Sequence, residues 1–122
     1  MVVDDNRDAA YTLGQFLEAF GHEVAVFCDA KTALSSMDQR AYDSYILDIG
    51  LPDMNGYELA KRLREKVPHL GTFVALTGYG QEHDRVLSKA AGFDHHLVKP
   101  VDVDNLLRIL AEQSIKAEAH KT

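Results

Sequence analysis

Asp4 and Asp5 stand side by side after Val2-Val3, Asp48 follows Tyr45-Ile46-Leu47, Thr77 follows Val74-Ala75-Leu76, and Lys99 follows Leu97-Val98. Each polar group closes a short apolar run. Taken singly, each has an ordinary reading. An aspartate after a strand forms a turn or caps a helix, a threonine there is commonly structural, and a lone lysine is a solvated charge. Gathered at one edge, they share an electrostatic problem and a chemical use. Two carboxylates about 4 Å apart repel by about 4 kcal/mol at an effective dielectric of 20. Three of them would weaken a small domain whose whole stability is about 5–15 kcal/mol. A hard divalent cation relieves that repulsion, and Mg²⁺ is commonly held by one or two carboxylates together with water and phosphate oxygens. Lys99 can offset part of the charge when the metal is absent and hold a phosphoryl oxygen when one arrives. The chemistry these residue types support is the handling of a phosphoryl group by carboxylates, assisted by Mg²⁺.

Such a site needs elements that bring strand ends together. Five apolar runs, Met1 to Val3, Val24 to Phe27, Tyr45 to Leu47, Thr72 to Leu76 and His96 to Val98, are short and rich in β-branched or aromatic residues. They lack polar alternation, as suits strands covered on both faces of a parallel sheet. Helical patterns separate them. Leu13, Phe16, Leu17 and Phe20 recur at helical spacing, with Gly21 placed to end the helix. Asp29 can cap a short helix carrying Ala33, Leu34 and Met37. Leu59, Leu63 and Val67 line a third helix that Pro68 stops. Val86, Leu87, Ala90 and Ala91 mark a fourth, closed by Gly92, and Leu106, Leu107 and Leu110 a fifth, capped by Asp102. About five βα units in this length predict an α/β fold, a doubly wound parallel sheet with right-handed crossovers. In such sheets ligands gather beyond the carboxyl ends of the strands, where the chemical residues fall.

The 122 residues make one domain, expected over 1–113, with 114–122 a polar helix end or tail. A net charge of −6 argues against a non-specific grip on DNA or anionic membrane. The helices are all used by the α/β layers, leaving none for a helix-turn-helix. No run reaches the length of about 18 apolar residues that spanning a membrane takes, and the N-terminus has no signal-peptide pattern. Cys28, the single cysteine, permits no internal disulfide and reads as a packed thiol in a reducing compartment. A cytoplasmic location is expected.

Val2-Val3-Asp4-Asp5-Asn6, the block Asp48-Ile49-Gly50-Leu51-Pro52-Asp53-Met54-Asn55-Gly56-Tyr57-Glu58-Leu59, Leu76-Thr77-Gly78 and Val98-Lys99-Pro100 together resemble the receiver domains of two-component response regulators. The resemblance covers nearly the whole chain in order and spacing. It implies a flavodoxin-like strand order 2-1-3-4-5. Asp48 would be the phosphoacceptor, attacking the phosphohistidine of a histidine kinase or histidine phosphotransfer domain to form an acyl phosphate. Asp5, the Asp48 carboxylate and the Gly50 carbonyl would bind Mg²⁺ directly, and Asp4 through water. Thr77 would hydrogen-bond the phosphoryl group and Lys99 would pair with it, with the Lys99–Pro100 peptide bond cis. The resemblance implies a signalling phosphoacceptor with self-catalysed transfer and slow autodephosphorylation, not an enzyme. Phosphorylation would shift the face made by the fourth helix, fifth strand and fifth helix between two states.

Three features depart from the family pattern. His96 occupies a position, three before the lysine, where the family often has Tyr or Phe. It either fills the same half-buried slot or acts as a switch residue whose state follows pH; His95 beside it is expected to be exposed. Gly50 stands where many members have a larger side chain, leaving water freer to approach the phosphoryl group, with Tyr79 a partial screen from the other side. Met1 falls almost inside the first strand. With the Gly50-Leu51-Pro52 turn and Ala91-Gly92-Phe93-Asp94-His95-His96, this points to a receiver fused to a sensor histidine kinase. Two other functions remain on the sequence alone. A phosphatase of the haloacid dehalogenase type should carry a second aspartate at position 50, which is glycine here. A non-phosphorylated interaction module should have lost one of Asp5, Asp48, Thr77 or Lys99, all present.

Overall fold

Five strands, β1 (Val2–Val3), β2 (Val26–Phe27), β3 (Ser44–Asp48), β4 (Thr72–Thr77) and β5 (His95–Val98), form one parallel sheet in the order β2-β1-β3-β4-β5. The computed structural model describes residues 1–38, 42–66, 71–78 and 89–120, with the backbone alone over 113–120. Among them lie four helices: α1 (Arg7–Ala19), α2 (Ala30–Ser36), α3 (Gly56–Lys66) and α4 (Val103–His120). The expected class and strand order are those observed. Of the fourth sequence pattern, Val86 and Leu87 lie outside the described residues. Lys89 and Ala90 form a last helical turn, with Ala90 exposed and Ala91 buried. Val67, Pro68 and Tyr79 are likewise outside the described residues.

Strand periodicity divides the interior in two, because successive side chains point to opposite faces. Val3, Tyr45, Leu47, Phe73 and Ala75 meet Ala30 and Ala33 of α2 and Leu59, Ala60 and Leu63 of α3. Val2, Ile46, Val74 and Leu76 meet Leu17 of α1 and Leu106, Ile109 and Leu110 of α4. Burying each such Leu or Ile contributes about 1.5–3 kcal/mol, so the sheet is held from both sides. The central strands are buried beyond their first residues, Ser44 and Thr72, while β2 and β5, at the edges, are half-buried, with Val98 exposed. His95 therefore differs from expectation. It opens β5 opposite Val74 and is half-buried, because it pairs with a strand on one side only.

The first helix also differs. Its buried stripe is Ala10, Gly14 and Leu17, with Leu13 beside it, while Phe16 and Phe20 are 41% and 60% exposed and stack on each other at 5.3 Å. Gly14 explains the rotation. A Cβ there would lie 2.8 Å from Val26 Cγ2, so the glycine lets α1 come close to β2. Gly21 follows the helix with φ +93°, as expected of its stop.

The amino ends of the strands are clamped. The Arg64 guanidinium lies 4.2 Å over the Phe73 ring and donates to the Gly92 carbonyl and to Asp94, whose carboxylate accepts from the Phe73 N–H at 2.8 Å. That lock keeps β4, β5 and α3 in register at one end of the sheet. The opposite end is left to the polar groups.

Candidate metal and phosphoacceptor site

The direction of the strand order reverses between β1 and β3, so the chain leaves these neighbours in opposite senses and opens a crevice at their carboxyl ends. Asp4 directly follows β1 and Asp48 ends β3. One carboxylate oxygen from each of Asp4, Asp5 and Asp48 falls within 4.8 Å of the others. Asp4 and Asp48 are buried, and Asp5 is exposed. Lys99, one residue past β5, reaches back to place Nζ 3.3 Å from Asp4 Oδ2 and 3.1 Å from Asp48 Oδ2. The Lys99–Pro100 peptide bond is cis.

Backbone donors fix the remaining carboxylate oxygens. Asp48 Oδ1 accepts from the Gly50 N–H at 3.0 Å, and Asp4 Oδ1 accepts from the Asn6 N–H at 3.0 Å. Asn6 in turn caps α1, accepting from the Ala9 N–H at 3.1 Å. The Asp48 backbone is fixed through Gly56, where an added Cβ would sit 2.6 Å from the Asp48 carbonyl oxygen. Gly56 N–H donates to the Ile49 carbonyl at 3.0 Å, closing the loop that follows β3.

Burial raises the Asp4 carboxyl above the ordinary carboxylate value; the Asn6 N–H opposes this, and the Asp48 charge adds to it. Lys99 is raised as well. Burial alone would lower it, and the Asp48 and Asp4 carboxylates outweigh that. Lys99 thus acts as an internal counter-cation for two buried acids. Oxygens at about 2.1 Å from Mg²⁺ in octahedral geometry lie about 3.0–4.2 Å apart, so an all-oxygen cluster within 4.8 Å needs only small adjustments to hold such an ion. The donor set fits a hard cation.

Thr77 is buried at the end of β4, and its carbonyl accepts from the Lys99 N–H at 2.7 Å. It is one residue beyond Leu76, the register partner of Asp48. Gly50 is exposed beside Asp48 Oδ1, where a Cβ would make only an ordinary contact at 3.8 Å. His96 is half-buried in β5 opposite Ala75, below the strand ends that carry the acidic groups. Asp4, Asp5, Asp48 and Lys99 are therefore one cluster. His96 is not part of it. The sequence reading assigned no role to two residues of this loop, Asp53 and Asn55. Asn55 accepts from the Tyr57 and Glu58 N–H groups, and Asp53 from those of Ala30 and Lys31. An Asx residue just before a helix could have announced Asn55. Nothing local announces Asp53.

A doubly wound domain with carboxylates and a lysine at its switch point is of the class that handles phosphate with a divalent cation. This chain belongs to the response regulator receiver domain family, which matches residues 1–111. It is 38% identical over 114 residues to an uncharacterised 14.6 kDa protein of Leptolyngbya boryana, covering 92% of this chain and 86% of that one. It is 34% identical over 123 residues to the virulence sensor protein BvgS of Bordetella bronchiseptica, covering 96% of this chain but 10% of BvgS. It is 31% identical to the regulatory protein VanRc of Enterococcus gallinarum, covering 82% and 42%. The chain thus spans most of the first relative and less than half of the other two. A CheY-like response regulator receiver domain protein from Methanospirillum hungatei superposes with a TM-score of 0.88 at 30% identity, over 98% of this chain and 94% of that one. Among the described residues, no helix is long and apolar enough to cross a membrane.

Proposed function

We propose that this domain is the phosphoacceptor of a two-component phosphorelay, with Asp48 as the residue that is phosphorylated. The observation that carries this reading is the meeting of Asp4, Asp5 and Asp48 within 4.8 Å, two of them tied to Lys99, at the switch point of a receiver fold. The donor is a phosphohistidine on a histidine kinase or histidine phosphotransfer domain. An Asp48 carboxylate oxygen attacks phosphorus, an O–P bond forms, and the P–N bond breaks with its electron pair passing to the imidazole nitrogen.

Asp5, Asp48 and the Gly50 carbonyl would hold Mg²⁺, with Asp4 acting through water. An ion bound there would supply positive charge against the acids and against the charge that spreads over the phosphoryl oxygens. The chain's own groups do the rest. The Gly50 N–H orients the Asp48 carboxylate through Oδ1. Lys99, released from Asp48 Oδ2 as that carboxylate reacts, pairs with the phosphoryl group, and the Thr77 hydroxyl donates to it. The new group carries about −1.5 to −2 charge, enough to draw both residues and the loop behind Thr77 to a second position. His96, on β5, serves as a switch residue.

A groove of about 480 Å³ runs from Asp4 and Lys99 between α1 and the segment Pro100 to Val103, with Leu13 and Phe16 on its wall. It leaves the approach to the acids open to a protein donor. Residues 1–113 form the domain and 114–122 the end or tail of its last helix. The likeness to BvgS supports a parent chain in which this receiver is fused to a sensor kinase. A cytoplasmic site of action follows from a kinase donor.

The test is phosphorylation by acetyl phosphate, read by intact mass. One phosphoryl group is expected with Mg²⁺ and none with excess chelator; absence of label under both conditions would sink the reading. Steady turnover of many phosphomonoesters per protein would favour a phosphatase instead. The metal is tested separately. Mg²⁺ at about a hundredfold over its dissociation constant should add about 2.7 kcal/mol of stability, read as a higher melting temperature, and Asp5→Asn should reduce the gain. A melting curve that ignores Mg²⁺ counts against the acidic cluster as a metal site.

A further inference from the structure

The first turn of α2 leaves three N–H groups to be satisfied from outside the helix. Asp29, the local cap, takes one, accepting from the Thr32 N–H at 2.7 Å. The other two go to a residue far along the chain. Asp53 Oδ1 and Oδ2 accept from the Ala30 N–H at 3.2 and 3.1 Å, and Oδ2 accepts from the Lys31 N–H at 3.1 Å. Desolvation alone would raise the exposed Asp53 carboxyl; the N–H groups of Ala30, Lys31, Asp53 itself and Met54 together outweigh it and hold the carboxyl below its ordinary value.

Asp53 belongs to the loop between Asp48 and Gly56. The near end of that loop is fixed to β3 by the Gly50 N–H on Asp48 Oδ1, and its far end by the Gly56 N–H on the Ile49 carbonyl. Between these, Gly50 is exposed and has no side chain to anchor it. Leu51 enters the core, and Asp53 hydrogen-bonds the loop to the first turn of α2. A helix cap needs one acceptor, and α2 already has Asp29. A second acceptor arriving from 22–23 residues away does something a cap does not: it ties two segments together.

We propose that Asp53 is a positioning residue for the metal site, pinning the loop that carries the Gly50 carbonyl to the first turn of α2. The proposal rests on the reading of that carbonyl as a metal ligand. Asp53 touches neither ion nor phosphate. It narrows the range of positions the carbonyl samples, and so raises the fraction of molecules ready to bind.

The test is the Mg²⁺ dissociation constant of the whole chain, measured by titration calorimetry for four proteins. Wild type must bind; if it does not, the metal reading itself fails, independently of Asp53. Asp53→Ala is expected to weaken binding about tenfold, the lower end of the range for groups that orient metal ligands. Asp53→Asn, which keeps an acceptor oxygen but loses the charge, should stay within about threefold of wild type by the same reasoning. Asp29→Ala removes the local cap of the same helix, yet should leave the constant unchanged. Wild-type affinity in Asp53→Ala overturns the proposal. So does an equal fall in Asp53→Asn, which would make charge the cause, or in Asp29→Ala, which would make loss of helix the cause. A second measurement needs no variant. Coupling is reciprocal, so saturating Mg²⁺ should slow hydrogen exchange at the Ala30 and Lys31 amides by a comparable factor. Unchanged exchange at both amides also overturns the proposal.

Discussion

Asp48→Asn is expected to abolish acetyl phosphate labelling completely while leaving the metal-free domain at least as stable as wild type. The first half follows from chemistry, because a carboxamide is not a nucleophile toward phosphorus and Asp4, the next buried acid, is held by Lys99 and the Asn6 N–H. The second half follows from charge. Asn keeps the shape of the side chain and an oxygen for the Gly50 N–H, and Lys99 keeps Asp4 as its partner. The Lys99–Asp48 ion pair is lost, and so is the repulsion that helps to hold the Asp4 carboxyl above its ordinary value. A gain of about 1 kcal/mol is reasonable, a fraction of the roughly 4 kcal/mol between two unit charges at 4 Å and an effective dielectric of 20. Urea titration in chelator measures it, and intact mass reads the label. A labelled Asp48→Asn protein would place the phosphoacceptor elsewhere. A variant several kcal/mol less stable would show that the acids are not in conflict.

Carboxylates packed together at one edge of a sheet, with the Asp4 carboxyl raised above its ordinary value, signal that stability has been given up for chemistry. The structure puts this conflict at the carboxyl ends of the strands and keeps it away from the other end, where Arg64, Phe73, Asp94 and the Gly92 carbonyl satisfy one another. The core between the two ends is continuous apolar strand. The register of β3 and β4 is therefore held by groups that stand apart from the charge at the site.

The site was legible because its residues terminate apolar runs, and a run that ends in a polar group needs only the topology to say which other runs end beside it. Two rules, βα alternation and the switch point, supplied that topology. The places where the structure departs from the sequence pattern have separate physical causes. Hydrophobic pattern counts large side chains, and α1 packs with small ones. Ala10 and Gly14 carry no strong hydrophobic signal, yet Gly14 sets how near the helix approaches Val26. Phe16 and Phe20 were consequently read as core and stand at the surface. His95 was read as exposed because its polarity was weighed without its strand partner Val74. Asp53 was passed over because its partners are 22–23 residues distant, and no local spacing encodes a bond that only the fold creates. Caps made within a turn, Asp29 and Asp102, were legible for the opposite reason.

Lys99→Met should separate the electrostatic role of the lysine from its role toward phosphate. In metal-free protein at pH 7 it leaves Asp4 and Asp48 facing each other without a counter-charge. Breaking a fully buried ion pair from one side costs about 3–5 kcal/mol. The Lys99 side chain is 34% exposed, and solvent screening reduces the expectation to about 2 kcal/mol. The pH dependence gives the sharper signature. Asp4 has a folded pKa above 3.8, so the fold binds its proton more tightly than the unfolded chain, and stability falls as pH rises from 3.8 through the folded value. Removing the ammonium raises that value further and extends the fall to higher pH. Lys99 has a folded pKa above 10.5, so its contribution is fully present below 10.5 and is lost as pH rises through the folded value. The stability difference between wild type and Lys99→Met should therefore form a plateau at neutral pH that shrinks at both ends: in acid as Asp4 takes up a proton, and in alkali as Lys99 loses one. Asp4→Asn in the Lys99→Met background should restore most of the loss, and saturating Mg²⁺ should do the same without a second substitution. A difference that does not vary with pH, or that neither treatment repairs, would mean that the methionine acts through packing and that Lys99 does not serve as the resident cation of the acidic cluster.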